Sequence, residues 1–304
     1  MKVFLTGATG YTGGVMLGYL LDAGHSVVAL ARRPPHGDTD GADGVRWVTG
    51  DFSDPEVIRT CLADADAALH IGASHDAQME RLDKIVVRTI GDALAGTGRV
   101  FITTSATPVY GDTGPTPRDE HEPIENPHPL RAWRMRHDLE VAGLDARGVR
   151  GVVIRPGYIY GQAGGVLADV IRRARDTGEA RYIGQGDNLS STVHIDALAR
   201  LYLLALDDPS ARGIYNAVSD EVIRSSDIAK TVAAAFGPGI EPRAWPIEDA
   251  RKTLGELADL TNMTCVAHSL RARRELGWVA SGPSLLSELV GGSYQTQPLQ
   301  PYKS

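Results

Sequence analysis

Lys2-Val3-Phe4-Leu5-Thr6-Gly7-Ala8-Thr9-Gly10-Tyr11-Thr12-Gly13-Gly14, followed at once by an apolar run over residues 15–21, is the stretch that decides how this chain folds. A short strand pattern runs into glycines spaced G-x-x-G-x-x-G, and a helix pattern over residues 14–23 follows. Gly7 permits the tight turn, Gly10 lets the backbone approach an anion with no Cβ in the way, and Gly13 allows the helix to pack close to the strand. The first N–H groups of that helix face the anion with the positive end of the dipole behind them, which makes a pyrophosphate the expected ligand. A glycine triplet alone is a weak signal; strand, turn and helix in this order make it strong. A glycine-rich connection that binds nothing is the alternative.

Outward from this turn, short β-branched runs alternate with longer amphipathic segments. Strands are expected at residues 26–31, 45–49, 67–71, 99–103 and 151–155, and helices at 79–95 and 130–147, with Gly24 as a left-handed C-cap and Asp54-Pro55 opening a short helix. The rhythm predicts βαβ units around a parallel, doubly wound sheet. The Pro-, Asp- and Glu-rich loop over 108–129 interrupts it, and a loop of that length is usually functional or mobile. Beyond Gly161 the pattern shifts to helices at 166–177, 195–206, 226–236 and 285–294 with brief strands such as 213–217. The expected domains are therefore 1–161, then a smaller, mostly helical substrate-binding cap over 162–294, some of whose segments return to the first domain, and a frayed tail over 295–304.

Composition narrows the function classes. With 304 residues, 42% of them hydrophobic, the chain can bury a sizeable core. Its 31 basic against 38 acidic residues give a net charge of −7, which repels phosphate backbones, so nucleic acid is not an expected partner. Cys61 and Cys265 fit neither a disulfide framework nor a zinc pattern and read as buried apolar residues of a reducing compartment. No apolar run reaches the ~18 residues of a membrane span, and the first strand starts without a basic leader. A soluble, cytoplasmic protein without a membrane partner is expected.

The string Thr6-Gly7-Ala8-Thr9-Gly10-Tyr11-Thr12-Gly13 resembles the opening motif of the extended short-chain dehydrogenase/reductases, the family of nucleotide-sugar epimerases and dehydratases. Similar stretches follow in order: Gly50-Asp51-Phe52-Ser53-Asp54, His70-Ile71-Gly72-Ala73, Thr104-Ser105 with Val109-Tyr110-Gly111 after an extra Pro108, and Arg155-Pro156-Gly157-Tyr158-Ile159-Tyr160-Gly161. Val193-His194-Ile195-Asp196, Tyr215-Asn216-Ala217 and Glu275-Leu276-Gly277-Trp278 complete the series along almost the whole chain. The resemblance implies a Rossmann-type α/β fold and a nicotinamide dinucleotide. It implies cofactor contacts at Gly7, Gly10, Tyr11, Thr12, Gly13, Asp51, Phe52, Ile71, Gly72, Ala73, Pro156, Gly157, Tyr158 and Ile159. Tyr158 is open to a substrate contact as well. It makes His194 and Asp196 structural, since two such residues with no third nearby are a poor zinc site.

The second strand ends Ala29-Leu30-Ala31-Arg32-Arg33, with no acid for a ribose 2′-hydroxyl and two guanidiniums able to fork onto a 2′-phosphate. NADP is favoured and NAD is the alternative; both arginines could instead solvate the sheet edge or stack on adenine. The family's Tyr-x-x-x-Lys pair has no counterpart. If Glu140 is the family's glutamate, Ala132 replaces the tyrosine and Arg136 the lysine; one residue on, Trp133 and His137 stand there. Arg136 keeps a cation for the ribose hydroxyls but is no general acid near neutral pH. His137 and Tyr110 are the candidate replacement acids, and Ser105 the hydroxyl that polarises a carbonyl. Each has a plain alternative: a solvated helix position, a loop-packing ring, a strand-end cap. His75-Asp76 is either a pair near the substrate mouth or a helix cap, and Asp119-Glu120-His121-Glu122 a solvated lid segment, with binding of a cationic substrate the alternative.

Three functions follow from these residues. One is an NAD(P)-dependent oxidoreductase or epimerase-like enzyme acting on a small sugar, polyol or secondary-metabolite carbonyl through a non-standard proton relay. The others are a catalytically lapsed dinucleotide-binding sensor or scaffold, and a non-redox isomerase or lyase. A homodimer is the expected assembly.

Overall fold

Strands that are apolar at nearly every position have no polar face to show to water, so they assemble with helices covering both faces. The computed structural model describes residues 1–35, 37–73 and 78–301. His75 and Asp76 lie outside the described residues. The first half runs β1 (Lys2–Thr6), α1 (Tyr11–Asp22), β2 (Ser26–Ala31), β3 (Val45–Thr49), α2 (Pro55–Leu62), β4 (Ala67–His70), α3 (Met79–Leu94), β5 (Val100–Thr104), α4 (Pro129–Ala142) and β6 (Arg150–Pro156). Local chemistry sets the ends: the Asp54 carboxylate accepts from the Glu56 N–H at the start of α2, and Gly24, at φ 78°, carries the chain out of α1. The helix expected over 130–147 breaks at Gly143 into α4 and a 3₁₀ turn, Gly143–Arg147.

The second half runs β7 (Tyr158–Tyr160), α5 (Gly165–Thr177), β8 (Glu179–Ile183), β9 (Leu189–His194), α6 (Ile195–Asp207), β10 (Gly213–Ala217), β11 (Val222–Arg224), α7 (Ser225–Ala235), β12 (Glu241–Trp245), α8 (Ile247–Leu254), α9 (Leu257–Asn262), α10 (Leu270–Leu276), α11 (Leu285–Gly291) and α12 (Ser293–Thr296). Seven parallel strands form the main sheet in the order β10-β6-β5-β4-β1-β2-β3. The winding direction reverses between β1 and β4, and in such sheets ligands bind in the crevice outside the strand ends at that reversal. Small sheets of three strands (β11-β9-β7) and two strands (β12-β8) lie in the second half.

One core face joins Met16 and Leu20 of α1 to Leu198, Leu201 and Tyr202 of α6, to Tyr215 of β10 and to Trp278, whose indole N–H donates to the Ala197 carbonyl at 2.8 Å. The opposite face packs Ile58, Val86, Ile90, Leu94 and Val141 against Phe4, Phe101 and Val153. Residues 193–217 and 270–278 thus belong physically to the sheet, and what remains of the second half is a smaller unit built around Tyr160, Leu167, Ile171, Val232 and Leu289. Two segments without regular pattern are tied to the fold. The described part of the tail is docked: Leu299 packs on that smaller core, and Gln300 donates to the Ala163 carbonyl through its backbone and to the Gln162 carbonyl through its side chain, each at 2.8 Å. The loop 108–129 is stitched down, with the Thr113 N–H donating to Thr264 O and the Arg118 N–H to Val266 O. Among the described residues no helix is long and apolar enough to cross a membrane.

Candidate active site

A cleft of about 1140 Å³ opens at the C-terminal ends of the strands where the winding reverses. Its floor is the glycine turn. A Cβ on Gly7 would lie 2.5 Å from the Gly72 nitrogen and one on Gly13 2.1 Å from the Gly7 carbonyl oxygen, so neither position admits a side chain. The turn therefore needs glycine for close packing of β1, α1 and the strand-end loop after β4. Gly10 caps α1 without a side-chain hydrogen bond, and no acidic residue stands in the first turn. The open N–H groups and the unneutralised dipole end suit a phosphate, so the cradle fits a dinucleotide.

Tyr11, Thr12 and Gly13 line the cleft beside that floor. Tyr11 also fastens the opposite wall: its hydroxyl donates to the Gly161 carbonyl at 2.7 Å, and its ring fills the space over Gly164 and Gly165. Arg32 and Arg33 stand on the rim at the end of β2, and Gly50 and Phe52 border the same end. Ile71, Gly72 and Ala73 form one side, Gly157, Tyr158 and Ile159 the other, with Pro301 of the docked tail closing over it. Asp51 and Pro156 are not among the lining residues. The Asp51 carboxylate accepts from the Ser53 N–H at 2.7 Å and shapes its own loop, while Pro156 ends the buried strand β6.

The expected catalytic side chains stand behind the wall, in two buried networks. Ser105 donates to the Asp138 carboxylate at 2.8 Å, Arg155 donates to the same oxygen at 2.8 Å and to the Tyr110 hydroxyl at 3.1 Å, and Tyr110 donates to Asn216 at 2.8 Å. Burial pushes the Tyr110 phenol up to about 12 against the pull of Arg155. Burial likewise raises the Asp138 carboxyl, with Arg155 and Ser105 opposing it. In the second network His137 meets Asp83 at 2.6 Å, His70 meets the other Asp83 oxygen at 3.3 Å and the Thr6 hydroxyl at 2.6 Å. Burial alone would raise the Asp83 carboxyl; the hydrogen bonds from His137 and His70, with the Arg134 charge, hold it well below the ordinary carboxylate range.

Glu140 is exposed and pairs with Arg88 at 3.6 Å, whereas Asp138 is the buried carboxylate on Arg155. Helical periodicity then turns Arg134, four residues earlier, toward the sheet, where it donates to the Thr104 carbonyl at 2.9 Å. Arg136 points outward to Glu80 and does not reach the cleft. Trp133 is buried with its ring edge-on to His137. Glu120, expected on a solvated lid, accepts from the Asn216 N–H at 2.7 Å and is an anchor. His194 caps α6 by accepting from the Asp196 N–H at 3.3 Å.

At the far end of the cleft from the arginines, the wall consists of Ala106, Thr107 and Pro108 after β5, Ser190 and Ser191 of β9, and Cys265. The sequence marked none of these as site residues, and took Cys265 for a buried apolar residue. Thr107 lies two positions after Ser105 in a 3₁₀ turn (Thr107–Tyr110), and the extra Pro108 that begins with it was the signal available.

The model of the NAD dependent epimerase/dehydratase family matches residues 3–218. The chain belongs to that family. Among its relatives, an uncharacterized protein of Schizosaccharomyces pombe is 29% identical over 97% of this chain and 100% of its own. The 2-alkyl-3-oxoalkanoate reductase of Stenotrophomonas maltophilia is 24% identical over 92% of this chain and 94% of its own. Among solved structures, the dTDP-glucose 4,6-dehydratase of Bacillus anthracis, in complex with NAD, superposes with a TM-score of 0.78 at 14% identity, covering 97% of this chain and 96% of that one. Epimerases, dehydratases and reductases make up this kinship, so oxidoreductase- or epimerase-type chemistry is what membership supports.

Proposed function

We propose that this family member is an NAD(P)-dependent reductase-like enzyme for a small sugar, polyol or secondary-metabolite carbonyl, with NADP its preferred coenzyme. The observation that carries the reading is the cleft itself: an uncapped, acid-free helix start beside a turn whose Gly7 and Gly13 admit no side chain, with Arg32 and Arg33 on the rim beyond it. The glycine turn and the first N–H groups of α1 would hold the two phosphates. Arg32 and Arg33 would receive a 2′-phosphate, which planar guanidiniums bind in paired hydrogen bonds. When bound, the dinucleotide supplies or accepts a hydride. The chain's part is to seat it, to exclude water and to hold the carbonyl beside it.

The proton relay is non-standard in this reading. Ser105, Tyr110 and His137 are engaged with buried partners, which favours positioning roles for them and leaves proton delivery to water or to another hydroxyl on the wall. That engagement equally suits a dinucleotide-binding protein without turnover, so one experiment separates the two. NADPH deuterated at the transferable position is incubated with the protein and a panel of carbonyl compounds, and products are read by mass spectrometry. Label in a product supports the reductase. Tight NADPH binding with no label moved across the panel supports the sensor or scaffold instead, and turnover that is equal without dinucleotide supports a non-redox isomerase or lyase.

A further inference from the structure

Resting on the coenzyme reading just given, we infer that the turn over residues 161–165 is a sprung hinge in the cleft wall and that Gln300 is the positioning residue that holds it shut. The docked tail thereby sets how fast the coenzyme leaves.

Backbone strain locates the hinge. Gln162 and Ala163 stand at φ 48° and 52°, and among the described residues they are the non-glycine residues with positive φ. A Cβ crowds the backbone in that region, so two such residues in succession persist only where their surroundings over-determine them. The turn joins β7 to α5. Tyr158 and Ile159 before it and Gly165 and Val166 after it line the cleft. A change of φ at residues 162 and 163 therefore moves the start of α5 against β7, one part of the cleft wall against the other.

Gln300 grips both strained residues. Its N–H donates to the Ala163 carbonyl and its side-chain amide to the Gln162 carbonyl, each at 2.8 Å. Relaxation of either residue to negative φ reorients its carbonyl and breaks the bond. Gln300 is itself fixed from behind, its carbonyl accepting from Arg172 of α5 at 2.8 Å while Leu299 packs on the smaller core. Ser293 and Tyr294 of α12 support the same shape. The Ala163 N–H donates to the Ser293 hydroxyl at 2.8 Å, the Gly161 N–H to the Tyr294 hydroxyl at 2.9 Å, and Tyr294 donates to the Gly164 carbonyl at 2.8 Å. The conformation of the turn is thus imposed largely by residues 293–300.

Tyr11 couples this hinge to the coenzyme seat. It is the first residue of α1, on the helix start that faces the phosphates in this reading. Its ring occupies the space over the turn, where a Cβ on Gly164 would lie 2.4 Å and one on Gly165 2.7 Å from ring carbons. With the turn latched the ring is clamped, so the phosphate seat and the hinge bias one another, and such coupling is reciprocal.

The test uses the full chain with NADPH as the probe, its release followed by stopped-flow coenzyme fluorescence, and urea unfolding to confirm that each variant is folded. Gln300→Ala, which loses the bond to the Gln162 carbonyl, should speed release about fivefold, within the range for one hydrogen bond. Ala163→Gly alone should release NADPH no faster than the parent. Combined with Gln300→Ala it should bring release back to within about twofold of the parent, because glycine holds a positive φ without strain. A tail that merely covers the cleft predicts no such rescue. Should Ala163→Gly fail to fold because Ala163 is buried, Gln162→Gly takes its place with the same expected rescue. An unchanged release rate in Gln300→Ala, or a double variant as fast as Gln300→Ala, overturns the inference and leaves the coenzyme reading intact. A parent protein that binds no NADPH overturns the coenzyme reading first and this inference with it.

Discussion

Asp83 takes hydrogen bonds or charge from His70, His137 and Arg134 while almost wholly buried, and such a carboxylate has a defined acid signature. Its folded pKa is depressed, so the stabilisation is complete above the unfolded value of about 3.9 and is lost as pH falls through and below it. Urea unfolding between pH 7 and pH 2 should show Asp83→Asn destabilised by about 3 kcal/mol near neutrality, with a flatter acid limb than the parent, because a broken buried pair leaves its partners' charge uncompensated. A parallel pair of pH curves would remove Asp83 as the keystone. At the cleft rim, Arg32→Ala with Arg33→Ala should weaken NADPH binding about 10- to 100-fold and leave NADH binding nearly unchanged, read by coenzyme fluorescence; equal losses for both would mean that the arginines do not read the 2′-phosphate. The same scale shows why the catalytic assignments were hard to read. Ser105 and Thr107 are two hydroxyls of one short segment, and only the folded chain reveals that Ser105 is spent on Asp138 while Thr107 meets the Cys265 thiol.

Elements were legible where periodicity was strong. The first five strands and α1 to α3 fall within a few residues of the boundaries read from pattern, since each strand is a short apolar run closed by turn residues and each helix has a stop signal such as Gly24. The brief strands β7, β8, β9, β11 and β12 were not, because three to six residues carry too little pattern and their pairing depends on partners distant in sequence, as when β8 meets β12. Pattern along α4 is limited for a related reason: Asp138 and Glu140 are equivalent on paper, and only the fold shows which of them is buried against Arg155. The docked tail was hidden in polar composition. It braces the 161–165 loop, where Gln162 and Ala163 hold left-handed conformations at φ 48° and 52°, a strain of about 1 kcal/mol or more each that neighbours must sustain. Removing residues 298–304 takes away the Gln300 bonds to Gln162 and Ala163 and the Pro301 cover, so the truncated protein should stay folded and bind NADPH about tenfold more weakly, chiefly through faster release. An unchanged release rate in stopped-flow would show that the tail plays no part in the cleft.

At the scale of the whole molecule, the chain crosses between its two regions several times instead of being cut once. α6, β10, α10 and Trp278 come from the second half and complete the core face that α1 begins. A fragment of residues 1–161 would therefore expose β6 and the α1 side of the sheet, and it should show no cooperative urea transition by circular dichroism, whereas the full chain should; a fragment that unfolds cooperatively would show an independent first domain. The interleaving also explains how so much of the fold could be read from a thirteen-residue start: once the glycine turn fixes β1 and α1, the parallel order leaves few places for the remaining strands. Central to all of this is the coenzyme seat. Calorimetric titration of NADPH and NADH into the full chain and into Gly13→Val tests it most directly, since that side chain would press on the Gly7 carbonyl. One site per chain, NADPH tighter than NADH, and no binding to a still-folded Gly13→Val protein is the predicted result. Absence of heat with both coenzymes at millimolar concentration in the parent protein would contradict it.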